Sequence, residues 1–157
     1  MDDSLVVLVI EDDEAIQSIV EEALTEGGFE SAIAASGEEA VTLLKGKKTP
    51  YRALVTDINL KGTMDGWEVG KHARELDPEF PIVYMTGAAA DQWASSGVPN
   101  SILLTKPFAP AQLVALVLGV DSAHLLSAPL PRQVRCQQGH GCLPLARARH
   151  WCVRWEP

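Results

Sequence analysis

The chain is expected to adopt an α/β fold, a doubly wound parallel sheet with helices on both faces. Two observations predict it. Short continuous apolar runs alternate five times with stretches of helical periodicity across residues 1–120, and most of the apolar runs show no polar alternation. Continuous runs suit strands buried on both faces. The strand–helix alternation implies right-handed crossovers within one parallel sheet. A third observation concerns chemistry: the polar residues best suited to a site stand at the carboxyl ends of these runs.

The first run is Leu5 to Ile10. Ile16, Ile19, Val20, Ala23 and Leu24 then recur at helical spacing, with Asp13 as a cap and Gly27-Gly28 as the stop. Phe29 to Ala34 reads as a weaker second strand. Ser36 and Glu39 form a capping-box pattern that opens a helix through Ala40, Leu43 and Leu44. The third strand is Ala53 to Thr56, ending at Asp57. A glycine-bearing loop from Asn59 to Gly66 follows. Asp65 caps a third helix through Trp67, Val69, Ala73 and Leu76, which stops before Pro78. Pro81 to Met85 is the fourth strand. Ala88 to Ser96 forms a short helix cut off by Gly97 and Pro99. Ser101 to Leu104 is the fifth strand. Pro110, suited to a first helical turn, opens a last helix carrying Leu113, Leu116, Val117 and Val120.

The 157 residues fit one domain. Residues 1–120 form the expected folded body and residues 121–157 a C-terminal extension, disordered or non-native. The extension holds four prolines, five arginines and no clear periodicity. All three cysteines (Cys136, Cys142, Cys152) fall there, so the body owes nothing to disulfides or thiolate metals. The Cys-x5-Cys and His-x-Cys spacings around His140 lack the paired Cys-x-x-Cys of a structural zinc site. The body carries 8 Lys and Arg against 19 Asp and Glu. That acidity argues against direct nucleic-acid binding, which demands cations for the phosphates. No apolar run reaches the ~20 residues that span a bilayer. The acidic start, MDDSLVVLVIEDDE, lacks the basic region of a signal peptide. The expected location is the cytoplasm, with no membrane contact.

Glu11, Asp12 and Asp13 follow strand one, and Asp57 follows strand three. Ligands of open α/β sheets bind beyond the carboxyl ends of the strands, at the switch point of the strand order. In the order 2-1-3-4-5, common among such sheets, that point lies between strands one and three. Glu11, Asp12 and Asp57 then converge. Clustered carboxylates repel one another unless a cation neutralises them. Mg²⁺ suits the set, because it takes one or two carboxylates and a phosphate besides waters. An Asp beside it can act as a nucleophile toward phosphorus. Thr86, ending strand four, offers a hydroxyl. Lys106, ending strand five, offers an ammonium. Phosphoryl transfer needs such donors around the phosphoryl oxygens.

The segments VLVIEDDE, LVTDINLKGTMDGWE, IVYMTG and LLTKPF resemble the response-regulator receiver family, of the chemotaxis CheY type, over residues 5–119. The resemblance implies the flavodoxin-like fold with strand order 2-1-3-4-5. It implies that Asp57 is the phosphoacceptor and Asp12 a direct Mg²⁺ ligand, with Glu11 acting largely through water. The backbone carbonyl of Asn59 would be a further ligand. Thr86 and Lys106 would meet the phosphoryl group, and the Lys106–Pro107 peptide would be cis. The implied partners are a histidine kinase or histidine phosphotransfer protein as donor, and an output protein met through the fourth helix, fifth strand and fifth helix. Such a protein is a phosphoacceptor switch with slow self-phosphatase chemistry rather than a metabolic enzyme.

Some positions depart from the family pattern. The loop after Asp57 is one residue longer than the shortest versions and carries Lys61 where proline is usual. Leu103 stands where an aromatic switch residue is common. Asn59 and Ala88 occupy positions that tune the phosphoryl lifetime. Trp67 fits the apolar stripe of the third helix, whereas Trp93 falls where receivers meet partners. Two other functions compete. A haloacid-dehalogenase-type phosphohydrolase shares the Asp nucleophile, Mg²⁺, hydroxyl and lysine, but needs a second Asp where Asn59 stands. A phosphate-independent scaffold would keep the fold alone.

Overall fold

The computed structural model describes residues 5–127, with side chains through Val120; the extension expected at 121–157 and its cysteines and histidines fall largely or wholly outside the described residues. Five strands, β1 (Val6–Ile10), β2 (Glu30–Ala34), β3 (Tyr51–Asp57), β4 (Ile82–Thr86) and β5 (Ile102–Thr105), pair in parallel in the order β2-β1-β3-β4-β5. Five helices connect or follow them: α1 (Glu14–Glu26), α2 (Gly37–Gly46), α3 (Gly66–Leu76), α4 (Trp93–Ser96) and α5 (Pro110–Ser127). A 3₁₀ turn, Ala90–Gln92, leads into α4. This is the doubly wound parallel sheet expected from the alternation, in the flavodoxin-like strand order that the family resemblance implied.

Strand side chains point alternately to the two faces, so each face has its own core. Val7, Val9, Val55, Val83 and Met85 pack with Val20 and Leu24 of α1 and Leu113 and Val117 of α5. Leu8, Ile10, Leu54, Ile82 and Tyr84 pack with Ala40 of α2 and Val69 and Ala73 of α3. Burial on both faces explains the unbroken apolar runs.

Local chemistry sets the helix ends. Asp13 Oδ1 accepts the N–H groups of Ala15 (2.8 Å) and Ile16 (3.3 Å), so its side chain is spent on the cap of α1. Gly28, at φ +86°, turns the chain out of α1 in a region that disfavours side chains. The complete capping box lies at α3: Glu68 N–H donates to Asp65 Oδ1, and Asp65 N–H donates to Glu68 Oε2. At α2, Ser36 Oγ accepts from Glu39 N–H as expected, but the Glu39 carboxylate takes the N–H of Ala35 instead of that of Ser36. Helix α5 runs on past residue 120 to Ser127.

Candidate functional site

Strand register builds the site. Ile10 of β1 pairs with Thr56 of β3, so Glu11 and Asp57 stand side by side one step further on. Oxygen atoms of Glu11, Asp12 and Asp57 lie within 4.8 Å of one another. The three carboxylates read from the sequence therefore meet at the carboxyl edge of the sheet. Glu11 and Asp57 are buried and Asp12 is half-buried.

Each carboxylate is held differently. Asp57 Oδ1 accepts the N–H of Ile58 at 2.8 Å and faces Lys106 Nζ at 3.4 Å. Glu11 Oε1 accepts Asp13 N–H at 3.1 Å, and Oε2 accepts from Lys106 Nζ at 2.7 Å. The Glu11 backbone carbonyl accepts from Gln17 Nε2 at 2.6 Å, which ties the end of β1 to α1. Burial pushes the Glu11 carboxyl above its ordinary value, and the hydrogen bond from Lys106 works in the opposite direction. Asp12 Oδ2 lies 3.5 Å from Lys61 Nζ.

Thr86 is fully buried at the end of β4. Its hydroxyl oxygen accepts the N–H groups of Ala88 (3.2 Å) and Ala89 (2.8 Å), which fixes the turn after the strand. Lys106 follows β5, and its N–H donates to the Thr86 carbonyl at 2.7 Å. That bond holds the ends of the fourth and fifth strands together beside the carboxylates. The Lys106–Pro107 peptide is cis.

A cavity of about 470 Å³ opens beside the cluster, lined by Asp12, Asn59, Leu60, Lys61 and Trp67 among others. Asn59 therefore sits on the same opening as Asp12. Gly66 lets the loop return against β3: its N–H donates to the Ile58 carbonyl at 2.9 Å. A Cβ there would stand 2.2 Å from the Asp57 carbonyl oxygen.

Two contacts of this loop had no sequence signal. Lys61 reaches Asp12, and Glu38 at the start of α2 accepts from the Thr63 N–H (2.9 Å) and hydroxyl (2.6 Å). These bonds hold the exposed Glu38 carboxyl well below its ordinary value, at about 2. Trp67 is buried against Tyr84, with ring centroids 4.7 Å apart. Trp93 is partly exposed and donates from Nε1 to Ser101 Oγ at 3.1 Å. Leu103 is half-buried against the Tyr84 side of the core.

Comparison with known proteins agrees with this geometry. The family model "Response regulator receiver domain" matches residues 7–118. A response regulator receiver protein from Sinorhizobium medicae is 40% identical, with a TM-score of 0.74 covering 77% of this chain and 97% of that one. The receiver domain of a sensor histidine kinase from Pseudomonas aeruginosa, with magnesium coordinated in its active-site cleft, shares the fold at 23% identity and a TM-score of 0.66, covering 76% of this chain and 98% of its own. The transcriptional regulatory protein TcrA of Mycobacterium tuberculosis is 31% identical over 92% of this chain and 55% of its own length. The chain spans 36% of the length of the transcriptional regulatory protein AfsQ1 of Streptomyces coelicolor and 46% of that of YvrH of Bacillus subtilis, which it also matches.

Proposed function

The chain belongs to the response regulator receiver domain family, and from that premise we propose that it is a phosphorylation switch with Asp57 as phosphoacceptor. The observation that carries the reading is the meeting of Glu11, Asp12 and Asp57 within 4.8 Å beside Lys106. Three hard oxygen donors in such proximity fit Mg²⁺. Asp12, Asp57 and the Asn59 carbonyl would hold it directly, with Glu11 acting largely through water. The ion supplies charge neutralisation for the carboxylates and the incoming phosphoryl group.

The protein's own residues then have distinct tasks. Asp57 Oδ1 is engaged by Ile58 N–H and Lys106, so the other oxygen is placed to attack phosphorus. An O–P bond forms as the P–N bond of a phosphohistidine donor breaks, and the imidazole nitrogen keeps the electron pair. Lys106 balances the charge that arrives on Asp57. Thr86 can turn its hydroxyl from the Ala88 and Ala89 amides toward the phosphoryl oxygens. A hydroxyl that changes partners in this way would couple the site to the turn before α4. Such a switch is not a metabolic enzyme; loss of the phosphoryl group to water is its only expected turnover.

The donor would be a histidine kinase or histidine phosphotransfer protein, and output would pass through α4, β5 and α5 to a protein partner. With Leu103 on β5, that output does not rely on aromatic rotation. The receiver unit would take in residues 1–120 together with the remainder of α5 to Ser127. Among the described residues no helix is long and apolar enough to cross a membrane, which is compatible with action in the cytoplasm.

Intact mass after incubation with acetyl phosphate and Mg²⁺ tests the reading. One added phosphoryl group is expected on the wild type, prevented when EDTA is present during the incubation and absent from Asp57→Asn. An unmodified wild type whose fold is confirmed by circular dichroism would overturn it.

A further inference from the structure

We propose that Lys61 is a tethered competitor of the divalent cation for Asp12. This rests on the metal-site reading above and concerns a residue outside the proposed ligand set. Lys106 serves Glu11 and Asp57; it has no ion pair with Asp12. Among the described residues, the cationic partner of Asp12 is Lys61, with Nζ 3.5 Å from Oδ2. The two sides of that pair differ in environment. The Lys61 side chain is 84% exposed and that of Asp12 only 15%. An ammonium held largely in water can leave at small cost, whereas the recessed carboxylate stays in place for whichever cation arrives.

The route of the loop supports the placement of Lys61. Its neighbour Gly62 has φ +115°, and a Cβ there would stand 3.0 Å from Glu38 Oε2. The next residue, Thr63, is bound by Glu38 through both its N–H and its hydroxyl. The loop is therefore pinned to α2 immediately after Lys61, and the lysine stem is directed from that pinned segment toward Asp12. Proline at position 61 could place no charge there.

Competition follows from charge. The ammonium and the divalent ion seek the same carboxylate, and they repel one another at that range. Without a metal, Lys61 lowers the repulsion among the three carboxylates. When a metal binds, the lysine must yield. Lys61 thus raises the cation concentration needed to fill the site, which no simple surface ion pair would do.

Mn²⁺ titration of the full chain, with free ion followed by electron paramagnetic resonance, tests this. Lys61→Met and Lys61→Gln should bind Mn²⁺ about two- to fivefold more tightly than the wild type, the range set by the strength of an exposed ion pair. Lys61→Arg should stay close to the wild type. The gap between Lys61→Met and the wild type should narrow as KCl screens the lysine. Equal or weaker binding by both neutral variants, with unchanged circular dichroism, would overturn the competition alone. Absence of wild-type binding that Asp12→Asn abolishes would overturn the metal site and the competition together.

Discussion

Lys106 Nζ lies 2.7 Å from Glu11 Oε2, joining residues 95 positions apart across the carboxyl edge of the sheet. The Glu11 side chain is 1% exposed and that of Lys106 18%. Removing the lysine would leave a buried carboxylate next to two others. Loss of one partner of a buried pair costs about 3 kcal/mol. Lys106→Met is therefore expected to lower the unfolding free energy of the metal-free protein at pH 7 by about that amount, measured in urea. A loss under about 0.5 kcal/mol, the size typical of surface substitutions, would contradict it.

The same carboxyl predicts a pH dependence. Burial raises the Glu11 pKa above 4.5 in the folded state. A carboxyl with a higher pKa when folded holds more protons folded than unfolded. Its contribution to stability therefore falls as pH rises from about 4.5 toward the folded value. Glu11→Gln removes this group. Between pH 4.5 and 7 the metal-free variant should therefore lose less stability than the wild type, on top of any constant effect of giving up the Lys106 pair, and urea unfolding at the two pH values reads the difference. Parallel curves would show that Glu11 titrates normally.

Glu38 has the opposite sign. Its folded pKa is about 2 against an ordinary 4.5. Its stabilising effect is complete above the ordinary value and is lost as pH falls from about 4.5 to about 2. Carbon-13 titration of the side-chain carboxyl by NMR should find the low value in the wild type. In Thr63→Val, which removes the hydroxyl but keeps the N–H, the titration should move upward. An unchanged titration would assign the low value to the backbone N–H groups instead.

Gly66→Ala tests the return of the loop against β3. The added Cβ would stand 2.2 Å from the Asp57 carbonyl oxygen and 2.8 Å from Ile58 Cα, both backbone atoms that cannot turn aside. Forced overpacking of this kind costs about 3 kcal/mol. Thermal unfolding should show a clear loss, and Mn²⁺ binding should weaken as the Asp57–Asn59 segment is displaced. A variant as stable as the wild type would mean that α3 shifts freely along the sheet.

Much of this site is legible in the chain because a parallel sheet buries its strands on both faces. Apolar runs then mark the strands, and the polar residue that ends each run marks the functional edge. Glu11, Asp12, Asp57, Thr86 and Lys106 all stand at or just beyond strand ends for that reason. Strand limits shift by a residue or two, as at β3, which begins at Tyr51 rather than Ala53. The Glu38–Thr63 clamp joins residues 25 apart between an α2 turn and a loop, and no periodicity encodes it. The Lys61–Asp12 pair likewise depends on the path of a lengthened loop. Glu39, expected to close a box on Ser36, binds Ala35 N–H, a choice that residue type alone does not decide.

Trp67 has a position with an optical consequence. It is among the residues lining the opening shared with Asp12 and Asn59, and its ring packs on Tyr84 of β4. The indole is thus an intrinsic chromophore with a tyrosine energy donor fixed beside it. Ions or phosphoryl groups entering near Asp12 would change the field at the indole while Tyr84 stays packed against it. With the other three tryptophans replaced, emission from Trp67 would report occupancy of the site without any attached dye.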